Sequence, residues 1–159
     1  MNFEEFFVQL GQKNIEIKIG GNLVDRAHQL DNEALFQLPF ISMVVLLMAK
    51  DRNKPIISQV GRLVGESIEA SIPGFKGSAQ HLGWSANLRM RTVKAISFLE
   101  LANLIEIDNR KNRIRSTELG SKVVNKALSG DDDLAYNLSV IARSYRHICV
   151  SNQLDMVLE

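Results

Sequence analysis

The chain has 159 residues, 45% of them hydrophobic and 23% charged, with a formal net charge of +1. That balance argues against global disorder, and the length suits one domain, with room for appended helices. A near-neutral total excludes a polycation, so any nucleic-acid affinity must come from local clustering of charge.

Residues 2–10 suit a short helix with Phe3, Phe6, Phe7 and Leu10 on one side. The opening MNFEEFFVQLG is acidic and lacks the positive n-region of a signal peptide, so a cytoplasmic protein is expected. Ile15, Ile17 and Ile19 alternate with Glu16 and Lys18 before Gly20-Gly21, which predicts a strand, free to pair with another strand or to offer an edge to a partner. Asp31 or Asn32 suits the cap of a helix from about Glu33 to Lys50, unless Pro39 starts or kinks it. Phe40, Ile41, Val44, Val45, Leu47 and Met48 make that segment apolar almost all round, as in a helix at the middle of a core. The run Leu38–Ala49 is too short to span a bilayer.

Asp51–Pro55 reads as a turn, and Pro55 suits the approach to a second helix near Ile56–Ala70. Ser71–Gly83 holds Pro73, Gly74, Gly77 and Gly83 and reads as a loop. Ser85 caps a third helix that ends at Asn103. Leu104–Asp108 reads as a strand, Asn109–Asn112 as a turn, and Arg113–Ser116 as the returning strand. Thr117 caps a fourth helix through Leu128. A fifth opens at Asp131–Asp133, with Leu134, Leu138, Ile141, Tyr145 and Ile148 in one stripe. The expected fold class is mainly α with a small β-hairpin. Helix, helix, helix, hairpin, helix is the order of a winged helix-turn-helix. The expected organisation is a helix and strand extension over 1–30, a winged-helix domain over 31–128 and a C-terminal helix over 129–159.

Charge is uneven along this order. Residues 85–116 carry seven basic side chains against three acidic ones. The rest of the chain is slightly acidic. The basic excess therefore coincides with the third helix and the hairpin.

At about 100° per residue, Leu88, Thr92, Ala95, Ile96, Leu99 and Asn103 share one side of the third helix, assigned to the core. The opposite side holds Met90, Lys94, Ser97 and Leu101, flanked by Asn87, Arg91, Val93 and Phe98. Base edges are read by hydrogen bonds, which Val93, Phe98 and Leu101 do not supply. Their exposure is unfavourable, so this face suits a protein partner or a covering helix of the same chain. Trp84, Met90, Val93, Phe98 and Leu101 are the candidate partner-binding residues. Arg89, Arg91, Lys94, Arg110, Lys111 and Arg113 are the candidate nucleic-acid contacts, because cations on a helix and a hairpin tip suit phosphates.

No catalytic constellation emerges. His28, His81 and His147 lack ligands at metal spacing, and no metal or other cofactor is expected. One cysteine, Cys149, excludes an internal disulfide and reads as a buried, inert thiol. Asp131–Asp133 reads as an acidic helix start. Gly61–Gly65 lacks the Lys-Ser/Thr ending of a phosphate loop and reads as close helix packing.

The string His81-Leu82-Gly83-Trp84-Ser85-Ala86-Asn87-Leu88-Arg89-Met90-Arg91-Thr92, followed by Ala95, Phe98-Leu99-Glu100 and Leu104-Ile105, goes beyond a generic winged helix. It resembles the small middle components of prokaryotic ABC-three-component conflict systems, the group of Lamassu-like anti-phage defence, over roughly residues 35–128. The resemblance implies a non-catalytic subunit that bridges an SMC-like ABC ATPase and an effector subunit, with DNA contact possible. It implies no catalytic residues, no small-molecule substrate and no membrane. The alternative reading is a winged-helix transcription regulator.

Overall fold

The computed structural model describes residues 38–75 and 85–158. The expected helix at 2–10, the strand at Ile15–Ile19 and Trp84 lie outside the described residues.

Helix α1 spans Leu38–Lys50. Pro39 sits in its first turn, where a missing N–H costs nothing to the helical ladder. From Phe40 to Ala49 every side chain is buried except that of Met43, which is partly covered. The helix is therefore the central rod of the core, as its all-round apolar sequence predicts. The other helices described below surround it.

After the turn at 51–54 the chain runs extended through Pro55 and Ile56. Ile56 forms an isolated antiparallel bridge with Arg113. A single 3-10 turn, Ile57–Gln59, leads into α2, Val60–Ser71. Its buried positions Val60, Leu63, Val64 and Ile68 follow helical spacing.

Helix α3, Ala86–Leu101, starts where the sequence predicts. Ser85 caps it, its hydroxyl accepting the Leu88 N–H at 3.3 Å. At the other end the Leu104 N–H reaches the Leu99 carbonyl at 2.9 Å, and the Asn103 N–H reaches Glu100 at 3.0 Å. Asn103 takes the left-handed conformation, φ 55°. This is a Schellman stop with asparagine in the usual glycine place. Asn103 is thus exposed, which corrects its assignment to the core face. The 100° rule ceases where the backbone leaves the helix.

Strands β1 (Ile105–Asp108) and β2 (Arg113–Ser116) pair antiparallel, with Ile107 opposite Ile114. The other edge of β2 is taken by Pro55–Ile57. The Ile114 N–H donates to the Pro55 carbonyl at 3.1 Å, and the Ile57 N–H donates to the Asn112 carbonyl at 2.8 Å. Helix α4 spans Glu118–Leu128, capped by Thr117, whose hydroxyl accepts the Gly120 N–H at 3.0 Å. Helix α5 spans Asp133–Leu158 and packs on α1, α2 and α4. Its Leu138, Ile141 and Tyr145 join the same core cluster as α1. Among the described residues, no helix is long and apolar enough to cross a membrane.

Candidate functional site

Helix α3 packs its inner side, Leu88, Thr92, Ala95 and Leu99, against α1. Ile96 is partly buried beside them. Thr92 satisfies its buried hydroxyl within the helix, donating to the Leu88 carbonyl at 2.8 Å. The inner assignment therefore holds except for Asn103.

The outer side is open. Met90 and Val93 are each 63% exposed, Phe98 is 55% exposed and Leu101 is 85% exposed. Helix α5 packs on the other helices and leaves these side chains uncovered. Apolar residues thus stand on both sides of one helix, and among the described residues no element covers one of the two sides. Leu119, 53% exposed, sits in the first turn of α4. That turn is tied to the end of α3, because the Thr117 hydroxyl donates to the Asn103 carbonyl at 2.8 Å.

Polar groups are graded along the same helix. Arg89 and Arg91 lie in its first half, Lys94 at its middle, and Phe98 and Leu101 toward its end. The Arg91 guanidinium donates to the Asn87 side-chain oxygen at 3.1 Å. Arg89 lies on another side: two residues apart on a helix means about 200° of rotation. Its stem packs on Gly61, where an added Cβ would stand 3.0 Å from the Arg89 Cγ. The close packing expected of Gly61 is therefore with α3.

The hairpin tip is built to hold its shape. The Asp108 carboxylate accepts the backbone N–H groups of Arg110 at 3.0 Å and Lys111 at 3.3 Å. Asn112 closes the turn with φ 50°. The Arg113 guanidinium donates to the Lys54 carbonyl. Arg110 and Lys111 extend outward from this fixed turn, and both are exposed. Across the strands, Arg115 pairs with Glu106 at 3.4 Å. The six cations singled out from the sequence are thus split. Arg91 and Lys94 belong to the open face of α3. Arg89 leans toward α2, and Arg110, Lys111 and Arg113 form the hairpin tip. Sequence reasoning missed Lys54, whose backbone holds Arg113. Its place before Pro55, where the chain favours an extended form, was the available signal.

Among the described residues no group of His, Cys, Asp and Glu side chains is placed to hold a metal ion. His147 is exposed on α5. Cys149 is half-buried rather than fully buried. Burial pushes its thiol upward, against the opposing effect of the nearby Tyr145 hydroxyl, which keeps it in the unreactive protonated form. Asp132 caps α5, accepting the Ala135 N–H at 2.8 Å. An open cavity of about 460 Å³ lies beside that cap, lined by Leu128, Asp131, Ala135, Tyr136 and Ser139.

No protein-family model, no curated protein and no solved structure matches this chain.

Proposed function

We propose that this chain is a non-catalytic winged-helix adaptor that binds a partner protein through the outer side of α3. In this reading it links an SMC-like ABC ATPase to an effector subunit in a prokaryotic anti-phage defence complex. It takes no cofactor and transforms no small molecule. The observation that carries the proposal is the row Met90, Val93, Phe98 and Leu101, each more than half exposed on one helix. Leaving such area in water is unfavourable by roughly 25 cal/mol per Å² of apolar surface. The order α1, extended Pro55–Ile57, α2, α3, β1, β2 supports the winged-helix assignment. The identity of the assembly rests on the resemblance of residues 81–105. The test is co-expression with the products of the neighbouring genes, with capture of an SMC-like ABC ATPase among them as the expected outcome. A complex that survives high salt is expected, because apolar contacts are not screened. Separate elution from every neighbouring gene product would overturn the proposal.

The exposed cations Arg110 and Lys111 favour a second reading, a winged-helix transcription regulator. That reading requires a dimer on a palindromic site and steep salt dependence. A gel shift on its own promoter decides it, and weak binding blind to sequence removes it.

A further inference from the structure

The open arc of α3 is not uniformly apolar. Lys94 and Ser97 stand among Met90, Val93, Phe98 and Leu101, and together they span about 140° of the helix surface at about 100° per residue. From Met90 to Leu101 the arc runs about 16 Å, or about three turns. Ser97 requires nothing from outside, because its hydroxyl donates to the Val93 carbonyl at 3.2 Å. Lys94 is exposed within the arc, and among the described residues no acid pairs with it. Arg91 borders the arc on the Lys94 side, its guanidinium donating to the Asn87 side-chain oxygen at 3.1 Å. Glu100 borders the other side, exposed and about 120° around the helix from Lys94. One margin is thus cationic and the other anionic.

This chemistry selects what can cover the arc. The backbone groups of α3 are bonded within the helix, so a partner gains no main-chain bonds there. An extended segment laid on α3 would bury its own N–H and C=O groups without partners. A helix brings its backbone already satisfied, and its ridges fit the grooves of another helix. A second copy of this chain is disfavoured by Lys94, which lies within about two residues of the middle of the arc. Two-fold pairing of two such arcs would set Lys94 beside Lys94, and like charges across an interface are unfavourable. Covering the ammonium with apolar groups alone is costly, and a carboxylate opposite it offsets that cost.

We infer that the partner contributes an acidic amphipathic helix, which lies along α3 for about three turns. Its apolar stripe covers Met90, Val93, Phe98 and Leu101, and an Asp or Glu meets Lys94. Its acidic edge faces Arg91 and turns away from Glu100. The inference rests on the outer side of α3 being a protein-binding face, and it adds the chemistry of the occupant.

The test is fluorescence anisotropy of the full chain with two labelled helical host peptides of about 18 residues, sharing one stripe of leucines at helical spacing. One peptide carries glutamate on its polar face and the other lysine. The acidic helix should bind about tenfold tighter or more. Lys94→Glu should reverse that preference, and Phe98→Ser with Leu101→Ser should abolish binding. All three side chains are exposed, so the urea midpoint should stay in place as a folding check. Equal binding of the two peptides, or no binding of the acidic one at about 1 mM, would overturn the inference. So would an unaltered preference in Lys94→Glu, or acidic-peptide binding that survives the double serine variant. Lys94→Met binding the acidic helix as tightly as the parent would also overturn it, since the ammonium would then need no carboxylate. A dimer of the parent chain that the double serine variant dissolves would name a second copy as the occupant instead. The peptides do not involve the neighbouring gene products, so the two readings fail separately. A bound acidic helix without capture of any such product would leave this surface standing and remove the ATPase. Capture that Lys94→Glu does not weaken would do the reverse.

Discussion

The Cγ of Arg89 lies so close to Gly61 that a Cβ at position 61 would stand 3.0 Å from it, with the Arg89 Cα at 3.6 Å. Helices α2 and α3 thus touch at a residue without a side chain. Gly61→Ala gains up to about 1 kcal/mol of helix propensity. It loses a comparable amount by crowding a methylene that must shift by a few tenths of an ångström. The urea midpoint should therefore move little. Chemical denaturation of the variant beside the parent chain checks it.

A second glycine admits no such compromise. A Cβ on Gly120 would stand 2.1 Å from the Leu104 carbonyl oxygen and 2.9 Å from a methyl of Leu46. That same carbonyl accepts the Thr117 N–H at 3.0 Å. The Thr-Glu-Leu-Gly run after the hairpin is therefore one device: threonine caps α4 and glycine lets the cap approach the chain leaving α3. Gly120→Ala should cost about 3 kcal/mol or more, read as a lowered urea midpoint.

Much of this architecture was legible because its signals are local. Ser85 and Thr117 are caps, Asn103 and Asn112 supply the two left-handed residues, and the all-apolar run of α1 announces a central helix. The outer side of α3 was legible too, since a straight helix turns at a fixed angle and Met90, Val93, Phe98 and Leu101 share an arc. Asn103 was misassigned for the same reason: the wheel was carried past the helix end. The strand partner of β2 was not foreseen. Pro55–Ile57 is too short to show a period of two, and its pairing is fixed by residues almost sixty positions away. The bond from Arg113 to the Lys54 carbonyl is likewise a product of tertiary packing, which no spacing along the chain encodes.

Ser67 is fully buried in α2, and its hydroxyl has no hydrogen-bond partner among the described residues. An unsatisfied buried donor is destabilising, so Ser67→Ala should raise stability by up to about 1 kcal/mol. Chemical denaturation of the variant measures it. A loss of more than that amount would mean the hydroxyl is satisfied in solution.

Tyr145 is buried on α5 and donates its phenol to the Asn53 carbonyl. Burial, then the neighbouring Cys149 side chain, pushes its pKa well above the ordinary tyrosine value. The folded state therefore holds this proton more tightly than the unfolded chain. Its stabilising effect is complete below the unfolded value of about 10 and declines as pH rises above it. Tyr145→Phe should cost about 1–2 kcal/mol at neutral pH by stranding the Asn53 carbonyl. The variant should also show a shallower alkaline loss of stability, visible in melting curves taken from pH 9 to pH 11, about the tyrosine range.

The outer side of α3, proposed above to face a partner protein, is exposed and so contributes nothing to the chain's own core. Replacing Phe98 and Leu101 together by serine tests it in one preparation, with the urea midpoint and capture by the proposed ATPase partner measured side by side. An unchanged midpoint, within about 0.5 kcal/mol as expected for surface positions, together with lost capture is the predicted result. A collapse of stability, or capture as strong as that of the parent chain, would contradict it.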